Sequence, residues 1–178
     1  MKPLFFLDTE TTGLKAPRLL QLAFVSDKGE TFNRMYKPPV PIEIEAMEVN
    51  HVTEKMVAGC PAFSADAQEV REKLGQGIVV IHNAEFDLRV LEAENVYLHD
   101  TICTKKLAKK LWPDFKGHRL QYLRYRLGLE IDASAHEAMA DVLVLQQVFA
   151  ACLKAWEEQS SFKGQPERMV TEMIENCR

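Results

Sequence analysis

Leu4-Phe5-Phe6-Leu7-Asp8-Thr9-Glu10-Thr11-Thr12-Gly13-Leu14 begins as an apolar run and ends in two carboxylates two positions apart. The run has the length and composition of a buried strand, predicted over residues 4–8. Strand side chains alternate faces, so Asp8 and Glu10 point the same way. Two anions in one small space repel each other unless one holds a proton or a cation lies between them. The pair therefore asks for a divalent metal, and for further ligands.

Two later segments supply them. Ile78-Val79-Val80-Ile81 is a second apolar run, and His82-Asn83-Ala84-Glu85-Phe86-Asp87-Leu88-Arg89-Val90-Leu91 follows it. This reads as a strand feeding a helix with Asn83 as N-cap. Asp87 then falls in the first turn, bordering the packing face of Phe86, Val90 and Leu91, where a carboxylate is costly unless paired or bound to a cation. Further on, Ser134-Ala135-His136-Glu137 fits a capping box, with Ser134 as N-cap and Glu137 at the third helical position. The helix it starts carries His136 in its first turn and Asp141 between one and two turns along. Val142, Leu145, Val148, Phe149 and Cys152 supply its core stripe. His136 and Asp141 do not share a face, so they reach a common site from different angles, and one can ligate while the other handles protons.

These segments, in this order and at these separations, resemble the three exonuclease motifs of the DEDDh, DnaQ-like 3′-to-5′ exonucleases, from the first residues to about Phe149. Residues 102–113 look most like the exodeoxyribonuclease X branch, with the proofreading subunits of replicative polymerases close behind. The resemblance implies an α/β, ribonuclease H-like exonuclease fold: a mixed central sheet flanked by helices. It implies two Mg²⁺ or Mn²⁺ ions, with Asp8, Glu10 and Asp141 on the first, Asp8 bridging to the second, and Asp87 serving the second through water. His136 is then the general base, a role suited to imidazole. The residue four before Asp141 is Glu137 and not Tyr, which favours the histidine branch over the tyrosine branch. Thr11, Leu14 and Asn50 are implied as contacts to the terminal nucleotide; His82 is read as a packing or supporting histidine.

The activity implied is hydrolysis from the 3′ end of DNA, releasing nucleoside 5′-monophosphates. An exoribonuclease of the ribonuclease T or oligoribonuclease type is the alternative, because those enzymes use the same five residues. A noncatalytic module that binds nucleic acid or a polymerase is a third reading, but a pure binder has no use for a self-repelling anion cluster. The partners implied are a DNA 3′ end or RNA, with a second copy of the chain or a polymerase as protein partner.

A chain of 178 residues that is 47% hydrophobic can bury one full core. The sequence therefore predicts one catalytic domain over residues 1–158 and a tail over 159–178 with no assigned role. The first apolar stretch is interrupted by Asp8 and Glu10, so no signal peptide is expected, and no run of membrane-spanning length is predicted. Cys60, Cys103, Cys152 and Cys177 lack metal-like spacing, which fits reduced thiols in a cytoplasmic protein.

The net charge of −4 sits awkwardly with a polyanionic substrate. Its distribution changes the reading. Residues 101–126 hold Lys105, Lys106, Lys109, Lys110, Lys116, Arg119, Arg124 and Arg126 against Asp114 alone. Trp112, Phe115, Tyr122 and Tyr125 lie in the same stretch and could stack on unpaired bases. The competing reading makes the lysines a solvated helix face and the aromatics core, beside Leu107, Leu111, Leu120, Leu123 and Leu127.

Periodicity and turn signals predict strands over 4–8, 18–26 and 31–36 as an antiparallel meander, a short helix from Thr53, and a longer helix over 64–74. A strand over 78–81, a helix to about residue 94, and a short strand over 97–101 follow. Helices over 102–111, 119–127 and 135–157 come next, then a small helix near 167–174.

Overall fold

The structure, a computed structural model, describes residues 2–131 and 137–177. Five strands, β1 (Leu4–Thr11), β2 (Leu19–Ser26), β3 (Thr31–Met35), β4 (Ile78–Ile81) and β5 (Thr101–Cys103), form one sheet in the order β3-β2-β1-β4-β5. β1, β2 and β3 make the expected antiparallel meander, while β1, β4 and β5 run parallel. Parallel neighbours need long crossovers, and helices supply them. The result is the mixed sheet flanked by helices that the motifs imply.

The helices are α1 (Ile44–Asn50), α2 (Glu54–Val57), α3 (Ala67–Leu74), α4 (Ala84–Ala93), α5 (Thr104–Leu111), α6 (Leu120–Arg126), α7 (Ala138–Gln159) and α8 (Pro166–Cys177), with a single 3₁₀ turn at Phe63–Ala65. Alternation along β1 sorts them onto two faces. Leu4 and Phe6 join Val25, Ile78, Val80 and Ile102 in a core closed by α5, α6, α7 and α8. Phe5 and Leu7 join Phe24, Val79 and Ile81 in a core closed by α3 and α4. A smaller cluster of Leu20, Ile42, Val52 and Val57 sits under α1 and α2.

β1 extends to Thr11, past the expected end at Asp8, because β2 remains its partner as far as a bulge at Glu10/Thr11. On its other edge β4 pairs only with Leu4 to Leu7. The carboxylate-bearing half of β1 thus projects beyond β4, with that edge open to ligands.

α1 was not expected. Only Asn50 is buried in it, while Ile44 and Val49 are exposed, so its sequence lacks the apolar stripe by which a helix is recognised. The long helix α7 begins at Ala138, with Glu137 in extended conformation as its N-cap. This corrects the capping-box placement, which puts Glu137 inside the helix; Asp141 accordingly lies in the first turn. Ser134 and His136 lie outside the described residues. By length and composition α7 could cross a membrane, which the sequence reading missed. Its Val142, Leu145, Val148 and Phe149 are instead buried in the core against β1, β2, α5 and α6.

Residues beyond Gln159 include α8, longer than the small helix expected there. Met169, Val170, Met173 and Ile174 are buried in the same core as Phe6 and Val148. Glu172 accepts hydrogen bonds from Trp156 Nε1 at 2.9 Å and Ser160 Oγ at 2.8 Å, tying α8 to the end of α7.

Candidate metal centre

Asp8 and Glu10 project from the open end of β1 on the α7 face, and the first turn of α7 brings Asp141 to them. One carboxylate oxygen from each of the three lies within 4.8 Å of the other two. Glu10 and Asp141 are 9% and 8% exposed. Oxygen donors of this number and charge suit a hard divalent cation.

Asp87 comes from the opposite face. It is 4% exposed in α4, and Thr9, which alternation turns away from Asp8 and Glu10, donates from Oγ1 to Asp87 Oδ1 at 2.7 Å. Asp87 is not one of the three converging ligands, but it is close enough to act on their charge. Burial first, then the charge of Asp87, holds the Asp8 carboxyl well above the usual carboxylate range. Burial and the charges of Asp141 and Asp87 push Glu10 to about 8, against a lowering contribution from Asn50. Burial lifts Asp87 itself to about 7, and the Thr9 hydroxyl opposes it. A metal-free site therefore stores anions that have no low-energy way to ionise together, and a divalent cation relieves all of them at once.

The approach to the acids is a cleft of about 730 Å³ lined by Thr9, Glu10, Thr11, Leu14, Asn50 and Phe86, among others. Leu14 stands on its rim, 77% exposed. Asn50 is buried, and its amide is committed: Nδ2 donates to the Thr11 carbonyl at 3.1 Å and Oδ1 accepts from Val52 N–H at 3.0 Å. It holds the end of α1 over β1. A Cβ at Gly13 would meet the Glu43 carboxyl group, so any side chain there requires that exposed glutamate to swing away.

Two further side chains complete the surroundings: Gln121, which carried no sequence signal, and His82, read from the sequence as a packing or supporting histidine. Gln121 in α6 donates from Nε2 to Asp141 Oδ1 at 2.6 Å. His82 is largely buried, which pushes it down to about 4 and keeps it neutral. Its Nε2 bonds the His118 carbonyl at 2.9 Å, so that nitrogen carries the proton, and Nδ1 at 2.8 Å accepts from the Thr104 hydroxyl. His82 thereby pins the loop entering α6 to the end of β4. Asn83 occupies the N-cap position of α4 as predicted, but with positive φ and no side-chain cap; its Oδ1 instead accepts from Lys105 Nζ at 3.2 Å.

The basic stretch divides. Trp112, Phe115 and Tyr122 pack against the core, with Trp112 and Phe115 stacked at 5.6 Å, whereas Tyr125 is 74% exposed. Lys106 donates to the Cys177 carbonyl at 2.6 Å and Lys110 to Asn176 Oδ1 at 2.5 Å, so both cations serve the end of α8.

The exonuclease family profile matches residues 5–149 of this chain. Exodeoxyribonuclease 10 of Escherichia coli K12 is 30% identical over 176 residues, which is 93% of this chain and 77% of that protein. The DNA polymerase III subunit epsilon of Treponema pallidum is 30% identical over 86% of this chain and 77% of that subunit. The PolC-type DNA polymerase III of Bacillus subtilis is likewise 30% identical, but the chain spans only 11% of its length. Among solved structures, an exonuclease X in complex with 5′-overhanging duplex DNA superposes with a TM-score of 0.79 at 25% identity, over 98% of this chain and 99% of that one. The chain belongs to the exonuclease family, among its DnaQ-like members.

Proposed function

We propose that this protein is a metal-dependent 3′-to-5′ exonuclease that removes nucleoside 5′-monophosphates from DNA. The observation that carries the reading is the convergence of Asp8, Glu10 and Asp141 at the open end of β1, beside a cleft with room for a nucleotide. The names of two relatives, an exodeoxyribonuclease and a polymerase epsilon subunit, and an exonuclease X structure holding duplex DNA favour DNA as substrate.

Asp8, Glu10 and Asp141 would hold one Mg²⁺ or Mn²⁺, with Asp8 and Asp87 serving a second. When bound, such ions supply Lewis-acid stabilisation of phosphoryl charge and lower the pKa of water. The protein's own part is positional. Thr9 keeps the Asp87 carboxylate turned toward the site, while Leu14, Thr11 and the α1 wall set by Asn50 shape the space for the terminal nucleotide. His136 takes the proton from the water oxygen that attacks phosphorus, as the bond from phosphorus to the 3′ oxygen of the penultimate nucleotide breaks.

Asp141→Ala should abolish turnover of single-stranded DNA with Mg²⁺ or Mn²⁺, while His136→Ala should lose rate far more than metal affinity. Gel comparison of end-labelled single-stranded DNA, duplex DNA and RNA at matched salt measures both. Undiminished activity in Asp141→Ala rejects the metal assignment, and preferential loss of RNA replaces the DNA reading with an exoribonuclease.

A further inference from the structure

Gln121 and Arg124 lie one helical turn apart on α6 and form a short relay to Asp141. Arg124 Nη1 donates to Gln121 Oε1 at 3.3 Å, and Gln121 Nε2 donates to Asp141 Oδ1 at 2.6 Å. A guanidinium carries donors only, so the oxygen end of the Gln121 amide must face Arg124 and its NH₂ end must face Asp141. The orientation of the amide follows from its neighbour. Arg124 also donates through Nη2 to the carbonyl of Ile131, the residue that leads into the stretch 132–136.

We propose that Gln121, oriented by Arg124, is a positioning residue for Asp141, engaging one carboxylate oxygen so that the group faces Asp8 and Glu10 in a single rotamer. The inference rests on the reading of Asp141 as a metal ligand. A neutral amide suits this task better than a cation would. A lysine or arginine in direct contact with Asp141 would neutralise it and compete with the metal, whereas the amide fixes the carboxylate and leaves its charge intact. Hydrogen-bonding partners of this kind typically change metal affinity by about 10- to 100-fold. The relay also explains why the loop before α6 is pinned by His82 through His118: any shift of α6 along its axis would carry Gln121 off Asp141.

The test is Mn²⁺ binding to the full chain, read from the spin resonance of the free ion, which needs no substrate. Gln121→Met keeps the length of the side chain and removes the donor; it should weaken Mn²⁺ binding by about 10-fold or more, with the metal-free protein melting within a few degrees of the parent. Gln121→Asn keeps an amide that cannot reach and should weaken binding in the same way, which guards against a folding defect peculiar to the first variant. Arg124→Met should weaken binding less, and adding it to Gln121→Met should weaken Mn²⁺ no further, because Arg124 acts on the metal site through Gln121. Parental Mn²⁺ affinity in both Gln121 variants, with binding lost in Asp141→Asn, overturns the positioning role. Parental affinity in Asp141→Asn overturns instead the metal reading beneath it.

Discussion

Thr9 sits between the two acids of β1 yet serves a third, because one step along a strand moves a side chain through the sheet. Its hydroxyl reaches Asp87 at 2.7 Å and opposes the burial that lifts that carboxyl to about 7. Thr9→Val keeps the β-branched shape and deletes the donor. Asp87 should then ionise at still higher pH, so the acid limb of the kcat/KM profile for single-stranded DNA should shift upward. At pH 8 the metal-free variant should lose about 1–3 kcal/mol of stability, the cost of a buried acceptor deprived of its partner. An acid limb coincident with that of the parent shows that the hydroxyl has no hold on Asp87. The acids themselves were legible in the sequence, because alternation along β1 and the cost of a carboxylate at a packing face are properties of local spacing. Thr9 and Gln121 were not, since a neutral hydroxyl or amide acquires meaning only when a partner far along the chain is brought beside it. Asn50 was marked by resemblance alone; its bonds to the Thr11 carbonyl and the Val52 N–H, and its lowering effect on Glu10, became visible only in the fold.

At the scale of elements, α5 shows why a run of cations cannot be read as one surface. Lys105, Lys106, Lys109 and Lys110 fall on different sides of a helix. Lys106 and Lys110 complement the carbonyl end of α8, and Lys110 also lies 4.7 Å above the Trp156 ring. Lys105 instead reaches Asn83 at the start of α4, the helix that carries Asp87. Changing Lys105 and Lys109 together to Ala should reduce the slope of log affinity against log salt by about 1 to 2. Changing Lys106 and Lys110 should leave that slope in place and lower stability by about 0.3–1 kcal/mol per residue at the helix end. Titrations of both double variants against a single-stranded oligonucleotide check the division, and equal slopes in the two reject it. β1 to β4 and the long amphipathic helices were recovered from periodicity, whereas the short strand expected over 97–101 lies at Thr101–Cys103, where its pairing with β4 sets it. α1 was missed because it buries only Asn50, and α7 was started early because a capping-box pattern is a local signal that tertiary packing overrode.

For the whole molecule, the anion cluster makes folding depend on pH and metal together. An unfolded chain releases its carboxyl protons near pH 4. The metal-free folded chain retains the Asp87 proton to about pH 7 and the Glu10 proton to about pH 8, because burial and mutual repulsion disfavour the charged forms. Between those limits the folded state holds more protons than the unfolded one, so stability must fall as pH rises through the window, and the raised Asp8 carboxyl acts in the same direction. A divalent cation reverses the balance, since it binds the ionised acids and has fewer protons to displace as pH rises; at 100 times its dissociation constant it adds about 2.7 kcal/mol. The melting temperature of the metal-free protein should therefore decline from pH 5.5 to pH 8.5, and the increment added by saturating Mn²⁺ should grow over the same interval. Calorimetry with and without Mn²⁺ measures both trends. A metal-free melting temperature that climbs through this window would mean that the acids ionise as freely as in the unfolded chain, and an increment independent of pH would mean that Mn²⁺ stabilises the protein somewhere other than at these carboxylates.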